Sequence, residues 1–132
     1  MQDDRQATTP SGDVYDWYVR GKKLLAGGNA AAAAALLEHA VDAAPDSRNL
    51  REALARAQYG SGAFRKARDN FAAIVAENPT DDYAQFGLGL AASRLGDYQG
   101  AVEHLALAVA MRPENRDYDS ALQRARAARS RT

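Results

Sequence analysis

From residue 14 onwards the apolar positions keep a helical rhythm rather than an alternating one. Leu36, Leu37, Ala40 and Val41 fall on one stripe, as do Phe71, Ile74 and Val75, and again Leu105, Ala108 and Val109. Glycine and proline break these stripes at regular intervals. The pattern predicts helices near 13–26, 30–43, 47–60, 63–77, 81–95, 98–111 and 116–129.

The interruptions recur every 34 residues, as Pro45, Pro79 and Pro113 show. Six further columns keep the same step: Gly21/Ala55/Gly89, Gly28/Gly62/Gly96, Ala33/Ala67/Ala101, Leu37/Phe71/Leu105, Ala40/Ile74/Ala108 and Val41/Val75/Val109. Glycine at 28, 62 and 96 reaches positive φ at little cost and so ends a helix. Asn29 and Asp97 are suited to cap the helix that follows, and Asp46 and Thr80, next to the prolines, to cap the next. Proline cannot continue a helix and turns the preceding residue away from helical conformation. Each repeat therefore reads as helix, tight turn, helix, proline turn.

A 34-residue helix–turn–helix period is the established signature of the tetratricopeptide repeat, and the chain resembles that family over about residues 14–115. The first repeat, about 14–47, carries Trp17, Gly21, Ala33, Leu37, Ala40 and Pro45. The second, about 48–81, carries Leu54, Ala55, Ala67, Phe71 and Pro79. The third, about 82–115, carries Leu88, Gly89, Gly96-Asp97-Tyr98, Ala101, Leu105, Ala108 and Pro113. Departures from the family pattern are Arg20 in place of leucine, Arg51 and Gln85 in place of a bulky residue, and Gln58 and Ala92 in place of an aromatic; these are expected to weaken packing locally. The resemblance implies an all-α, right-handed superhelix of three antiparallel hairpins. A stack of this kind needs a lid with one polar face, and residues 116–129 supply a C-terminal capping helix with Tyr118, Leu122 and Ala125 inward. One domain over 12–130 is expected, after a flexible leader at 1–11.

Composition agrees with this organisation. Of the residues 46% are hydrophobic, many of them alanine, which favours helix and allows close approach. The 17 basic and 17 acidic side chains cancel, so no global field draws the chain to nucleic acid or an anionic membrane. No apolar run approaches a membrane span, and the opening Met1-Gln2-Asp3-Asp4-Arg5-Gln6 is too polar for a secretory signal. Cysteine is absent, which excludes thiol chemistry and accords with a cytoplasmic location.

The resemblance also implies that the first helices of successive repeats line a concave surface on which an extended peptide lies. Its inner-face spacing falls on Tyr15, Tyr18, Lys22 and Leu25 in the first repeat, Asn49, Glu52, Arg56 and Tyr59 in the second, and Tyr83, Phe86, Leu90 and Arg94 in the third, with Asp117 and Arg124 from the lid. Five of these are aromatic in a chain with 8% aromatic residues, and aromatic side chains give contact area at small entropic cost. Lys22, Arg56, Arg94 and Arg124 are suited to orient a carboxylate or a carbonyl. The expected partner is a protein segment with apolar or aromatic side chains and an acidic group or a free C-terminus. The alternative use of this face is as packing between helices. A branch of the family that grips the acidic tails of heat-shock chaperones uses lysine, asparagine and arginine here; the matching places hold Tyr18, Lys22, Arg56, Phe86 and Leu90, which argues against that clamp.

Catalytic chemistry is not visible. His39 and His104 have no spaced partner histidine, and the acids beside them, Glu38 and Glu103, are sequence neighbours that do not share a helix face. Gly87-Leu88-Gly89 lacks the preceding strand of a nucleotide loop and suits helix packing. Asp81-Asp82 read as helix-start acids, and Asp3-Asp4 as part of the leader. Arg124, Arg126, Arg129 and Arg131 read as a solvated helix end, with an anionic contact such as RNA as the lesser alternative. The chain is thus read as a non-catalytic peptide-binding module without metal or cofactor, monomeric in its simplest form. The competing reading is a self-association unit that uses the same face or an exposed hairpin end.

Overall fold

The computed structural model describes residues 9–132, and the rest of the expected leader lies outside the described residues. Among the described residues seven α-helices follow in order: α1 (Val14–Ala26), α2 (Ala30–Ala43), α3 (Arg48–Gly60), α4 (Phe64–Glu77), α5 (Asp82–Arg94), α6 (Tyr98–Met111) and α7 (Arg116–Ser130). Gly87 to Gly89 lie within α5, as their spacing implied.

The three hairpin turns are copies of one another. Gly28, Gly62 and Gly96 have φ of 85°, 85° and 83°. At each, the glycine N–H and the next N–H bond back to the end of the preceding helix: Gly28 to Leu25 and Asn29 to Leu24, Gly62 to Tyr59 and Ala63 to Gln58, Gly96 to Ser93 and Asp97 to Ala92, at 2.8–3.1 Å. This double bond pattern satisfies the last carbonyls and requires the left-handed residue.

The caps differ from the sequence expectation. Helices after the prolines begin one residue later than Asp46 and Thr80 would set them, with Ser47, Asp81 and Asn115 accepting from Leu50, Ala84 and Tyr118 N–H. The residue after each proline is taken up by the turn, so the oxygen that reaches the third N–H is the next one along. Asp97 caps α6 by accepting from Gly100 N–H, whereas Asn29 makes no capping bond. At α1, Asp13 and Asp16 form a reciprocal capping box.

Small residues set the distance within a hairpin. A Cβ on Gly21 would lie 2.6 Å from Leu37 Cγ, and one on Gly89 2.6 Å from Leu105 Cγ. Ala33, Ala67 and Ala101 are wholly buried at the same interfaces. Each helix packs on the next in sequence; in addition α1 touches α3, α3 touches α5 and α5 touches α7, while α2, α4 and α6 do not touch one another. The first helices therefore close ranks on the inner side of the stack and the second helices splay on the outer side. α7 covers the last hairpin with Tyr118, Ala121, Leu122 and Ala125 buried and Arg124, Arg126 and Arg129 exposed.

The polar family departures, Arg20, Arg51, Gln58 and Gln85, are all hydrogen-bonded. The fourth residue of each first helix donates to the carbonyl six residues earlier: Trp17 Nε1 to Ser11 at 3.0 Å, Arg51 Nη2 to Pro45 at 3.1 Å and Gln85 Nε2 to Pro79 at 3.0 Å. The seventh residue of the second helix completes the station. Asn70 accepts from Arg51 at 3.0 Å and donates to the buried Gln58 at 2.7 Å. His104 Nδ1 lies 2.8 Å from Gln85 Oε1 and, facing an acceptor, carries the hydrogen. Arg20, exposed, also donates to Ser11 at 3.0 Å, which ties down the end of the expected leader. Among the described residues no buried side-chain polar atom is left without a partner.

Candidate functional site

Two adjoining grooves run across the inner face. The first, about 270 Å³, lies between α3 and α5 with Leu25 of α1 at one end; Arg56, Tyr59, Gly60, Phe71, Tyr83, Phe86, Gly87 and Leu90 complete its lining. The second, about 420 Å³, lies between α5 and α7 and is lined by Tyr59, Leu90, Ser93, Arg94, Tyr98, Leu105, Ala121, Arg124 and Ala128. Tyr59 and Leu90 border both, so the two form one continuous furrow.

The aromatic lining is held in place by ring-to-ring contacts. Phe71 meets Tyr83 edge-on at 6.3 Å between centroids, Tyr83 meets Phe86 at 6.1 Å, and Phe86 meets Tyr118 at 4.6 Å. Tyr118 is itself fixed by its hydroxyl donating to Asp82 at 2.7 Å, and Asp82 lies 3.6 Å from Arg112. Burial, and then that hydrogen bond to a carboxylate, push the Tyr118 hydroxyl well above its ordinary range. Arg94 lies over the Phe64 ring at 4.8 Å and the Tyr59 ring at 5.9 Å, which fixes a flexible side chain at the rim of the second groove.

Charge is unevenly placed along the furrow. Glu52 is half-buried; its carboxyl is raised above 4.5 by burial and by Asp81, against the pull of Arg56, Arg48 and Lys22. Arg56 thus has a carboxylate one turn before it on α3, and burial raises the Tyr83 hydroxyl above its ordinary range against the pull of Arg56. Lys22 lies over the Tyr18 ring at 4.8 Å. Arg94 and Arg124 are exposed and, among the described residues, ion-paired with no carboxylate.

Of the inner-face residues read from the sequence, Leu25, Arg56, Tyr59, Tyr83, Phe86, Leu90, Arg94 and Arg124 line the furrow. Tyr18, Lys22 and Glu52 lie beyond its lining. The structure does not bring Tyr15 and Asn49 into it. Tyr15, 72% exposed, borders a separate hollow with Ser11, Gly12 and Val19, and Asn49 another with Ser47, Arg48 and Glu77. Both are the second residue of their helices, as Tyr83 is in α5; Tyr83 alone of the three has the Phe71 and Phe86 rings beside it and so joins the furrow. Asp117 is exposed outside either groove. Phe71 is buried in the core, as its place on the apolar stripe implied, and its ring edge also closes the floor of the groove next to Gly87. A Cβ at Gly87 would lie 2.5 Å from the Phe71 ring, so only glycine lets that ring edge reach the floor of the groove.

His104 is engaged with Gln85, and the His39 ring lies 6.3 Å from Trp17. Among the described residues no three histidine, aspartate or glutamate side chains converge as metal ligands, and no helix is long and apolar enough to cross a membrane.

Stacked antiparallel hairpins with a furrow along their first helices define a helical-repeat protein. The family model described as Tetratricopeptide repeat matches residues 52–116, and the solved structures most like this one include tetratricopeptide-repeat domains. The first TPR of Spaghetti (RPAP3) bound to HSP90 peptide SRMEEVD has a TM-score of 0.81 at 20% identity, with 92% of this chain and 97% of that one covered. MamA AMB-1 has 0.78 at 20% identity, over 96% of this chain and 70% of that one. The Sgt2 TPR domain from Aspergillus fumigatus has 0.78 at 21% identity, over 90% and 80%. No curated protein matches in sequence. Residues 52–116 are thus tetratricopeptide repeat in sequence, and the solved tetratricopeptide-repeat domains share the fold of nearly the whole chain.

Proposed function

We propose that the chain binds an extended segment of a partner protein in the inner furrow and carries out no reaction. The observation that supports this most is the open aromatic socket of about 270 Å³, where Tyr59, Tyr83 and Phe86 face a concave space beside Arg56. Stiff aromatic side chains in a recess are what anchors a partner side chain, and the polar rim sets its orientation. The bound segment is apolar or aromatic with an acidic group or a free C-terminus, and the chain acts as a monomeric scaffold in the cytoplasm. That a neighbour of the same fold holds a peptide is consistent with this use of the face.

Peptides selected from a random display library on the immobilised chain test the reading. Binding is expected to fall at least about ten-fold with Phe86→Ala, a change of the size expected for a central aromatic anchor, and to be unchanged with Asn49→Ala. Affinity that survives both Phe86→Ala and Arg56→Glu places the ligand elsewhere. A mass that rises with concentration in light scattering contradicts the monomer.

A further inference from the structure

We infer that the furrow reads a two-part signal: a large apolar or aromatic side chain in the socket, and an acidic side chain about three residues away held by Arg94 and Arg124. This rests on the proposed use of the furrow and adds the partner's chemistry and spacing. The socket is less suited to the acidic half, because it is lined by a single cation, Arg56, which has Glu52 one turn before it on the same helix. The second groove differs. Arg94 is held over the Phe64 and Tyr59 rings, which leaves the edge of its guanidinium, with its N–H donors, free. Arg124 enters the same groove from α7, and neither arginine is ion-paired among the described residues. Two unpaired guanidinium groups bordering one apolar furrow are complementary to a carboxylate.

The spacing follows from helix packing. The two grooves lie on either side of α5, about one interhelical distance or ~10 Å apart, and an extended chain covers that in about three residues. The groove continues past Arg124 to Ala128, so the segment has room to run on, and the carboxylate is assigned to a side chain rather than to a chain end.

Parallel display selections on the full wild-type chain and on Arg94→Gln/Arg124→Gln test this, with Arg124→Gln alone as a second variant whose exposed side chain leaves the Arg94 stacking intact. Wild type is expected to enrich an aromatic or large aliphatic residue together with aspartate or glutamate at a fixed spacing of about three. Both variants are expected to keep the apolar preference and lose the acidic one. Replacing the selected acid by its amide should weaken binding to wild type about five-fold and leave binding to the double variant unchanged. Acidic enrichment that persists on the double variant, that has no fixed spacing, or that gives way to a free C-terminal carboxylate overturns the inference. Failure to recover any peptide, or peptides indifferent to Phe86→Ala, instead overturns the groove reading beneath it.

Discussion

In the first hairpin the station where the leading helix meets its partner is filled by Trp17 and Leu36, both buried. Two repeats further along, Gln85 and His104 hold the same two places at 2.8 Å, and between them, in the second hairpin, stand Arg51 and Asn70 at 3.0 Å. The one feature common to all three is the side-chain N–H given to the carbonyl six residues back. Indole, guanidinium and amide all supply it, although they share neither size nor charge. The repeat thus requires a donor that closes the turn; what surrounds that donor is free to be apolar or polar, provided every polar atom is answered. α7 departs from the series: its fourth residue, Asp119, has no side-chain N–H to give and faces solvent.

The sharpest way to break this comparison is to remove the indole. Trp17→Ala takes away apolar contact as well as the donor and should cost about 3–5 kcal/mol in urea unfolding. A loss as small as that of the glutamine variant below would mean that the first station is not apolar in effect. Next comes the small-residue column that both end hairpins share. Gly89→Leu must displace Leu105 and should cost about 1–3 kcal/mol or more; an unchanged melting temperature would contradict the close approach at Gly89. Gln85→Ala should cost about 1–2 kcal/mol, because it leaves His104 without its acceptor. Gln85→Trp/His104→Leu, which rebuilds the first hairpin's pair together with its N–H donor, should recover most of that loss in the same unfolding assay. The smallest effect concerns Glu52, whose carboxyl is raised by burial. A raised carboxyl adds stability below its unfolded value and loses it as pH rises through the folded one. Glu52→Gln should therefore melt slightly higher than wild type at pH 7, and at the same temperature as wild type at about pH 4, below the ordinary value of 4.5. A difference that grows on acidification would reverse the sign.

Much of this architecture is legible along the chain because its causes are local. Gly28, Gly62 and Gly96 declare the turns through a backbone conformation that other residues resist, and the apolar stripes declare the buried faces. The caps were misplaced by one residue because a proline turn ends where its own N–H bonds do: Ser47 and Asp81 donate to Ala44 and Asn78 before the helix starts. The site is less legible. Helical spacing put Tyr59, Tyr83, Phe86 and Leu90 on the face that lines the furrow, but could not separate Tyr83 from Tyr15 and Asn49, which hold the same place in the first two repeats. The contact of Phe71 with the furrow was hidden because it depends on a missing Cβ at Gly87, sixteen residues away and on another helix.

The sequence by itself determined the seven helices, their glycine and proline boundaries and the stacking of hairpins, since bonds between near neighbours and the periodicity of one chain are enough for these. The tertiary structure decided how Arg51, Gln58 and Gln85 are satisfied, and which cations remain unpaired along the furrow. Those outcomes depend on distances between side chains from different helices: Lys22 of α1 comes near Glu52 of α3, and Arg94 of α5 comes to rest on Phe64 of α4, only after the helices have packed.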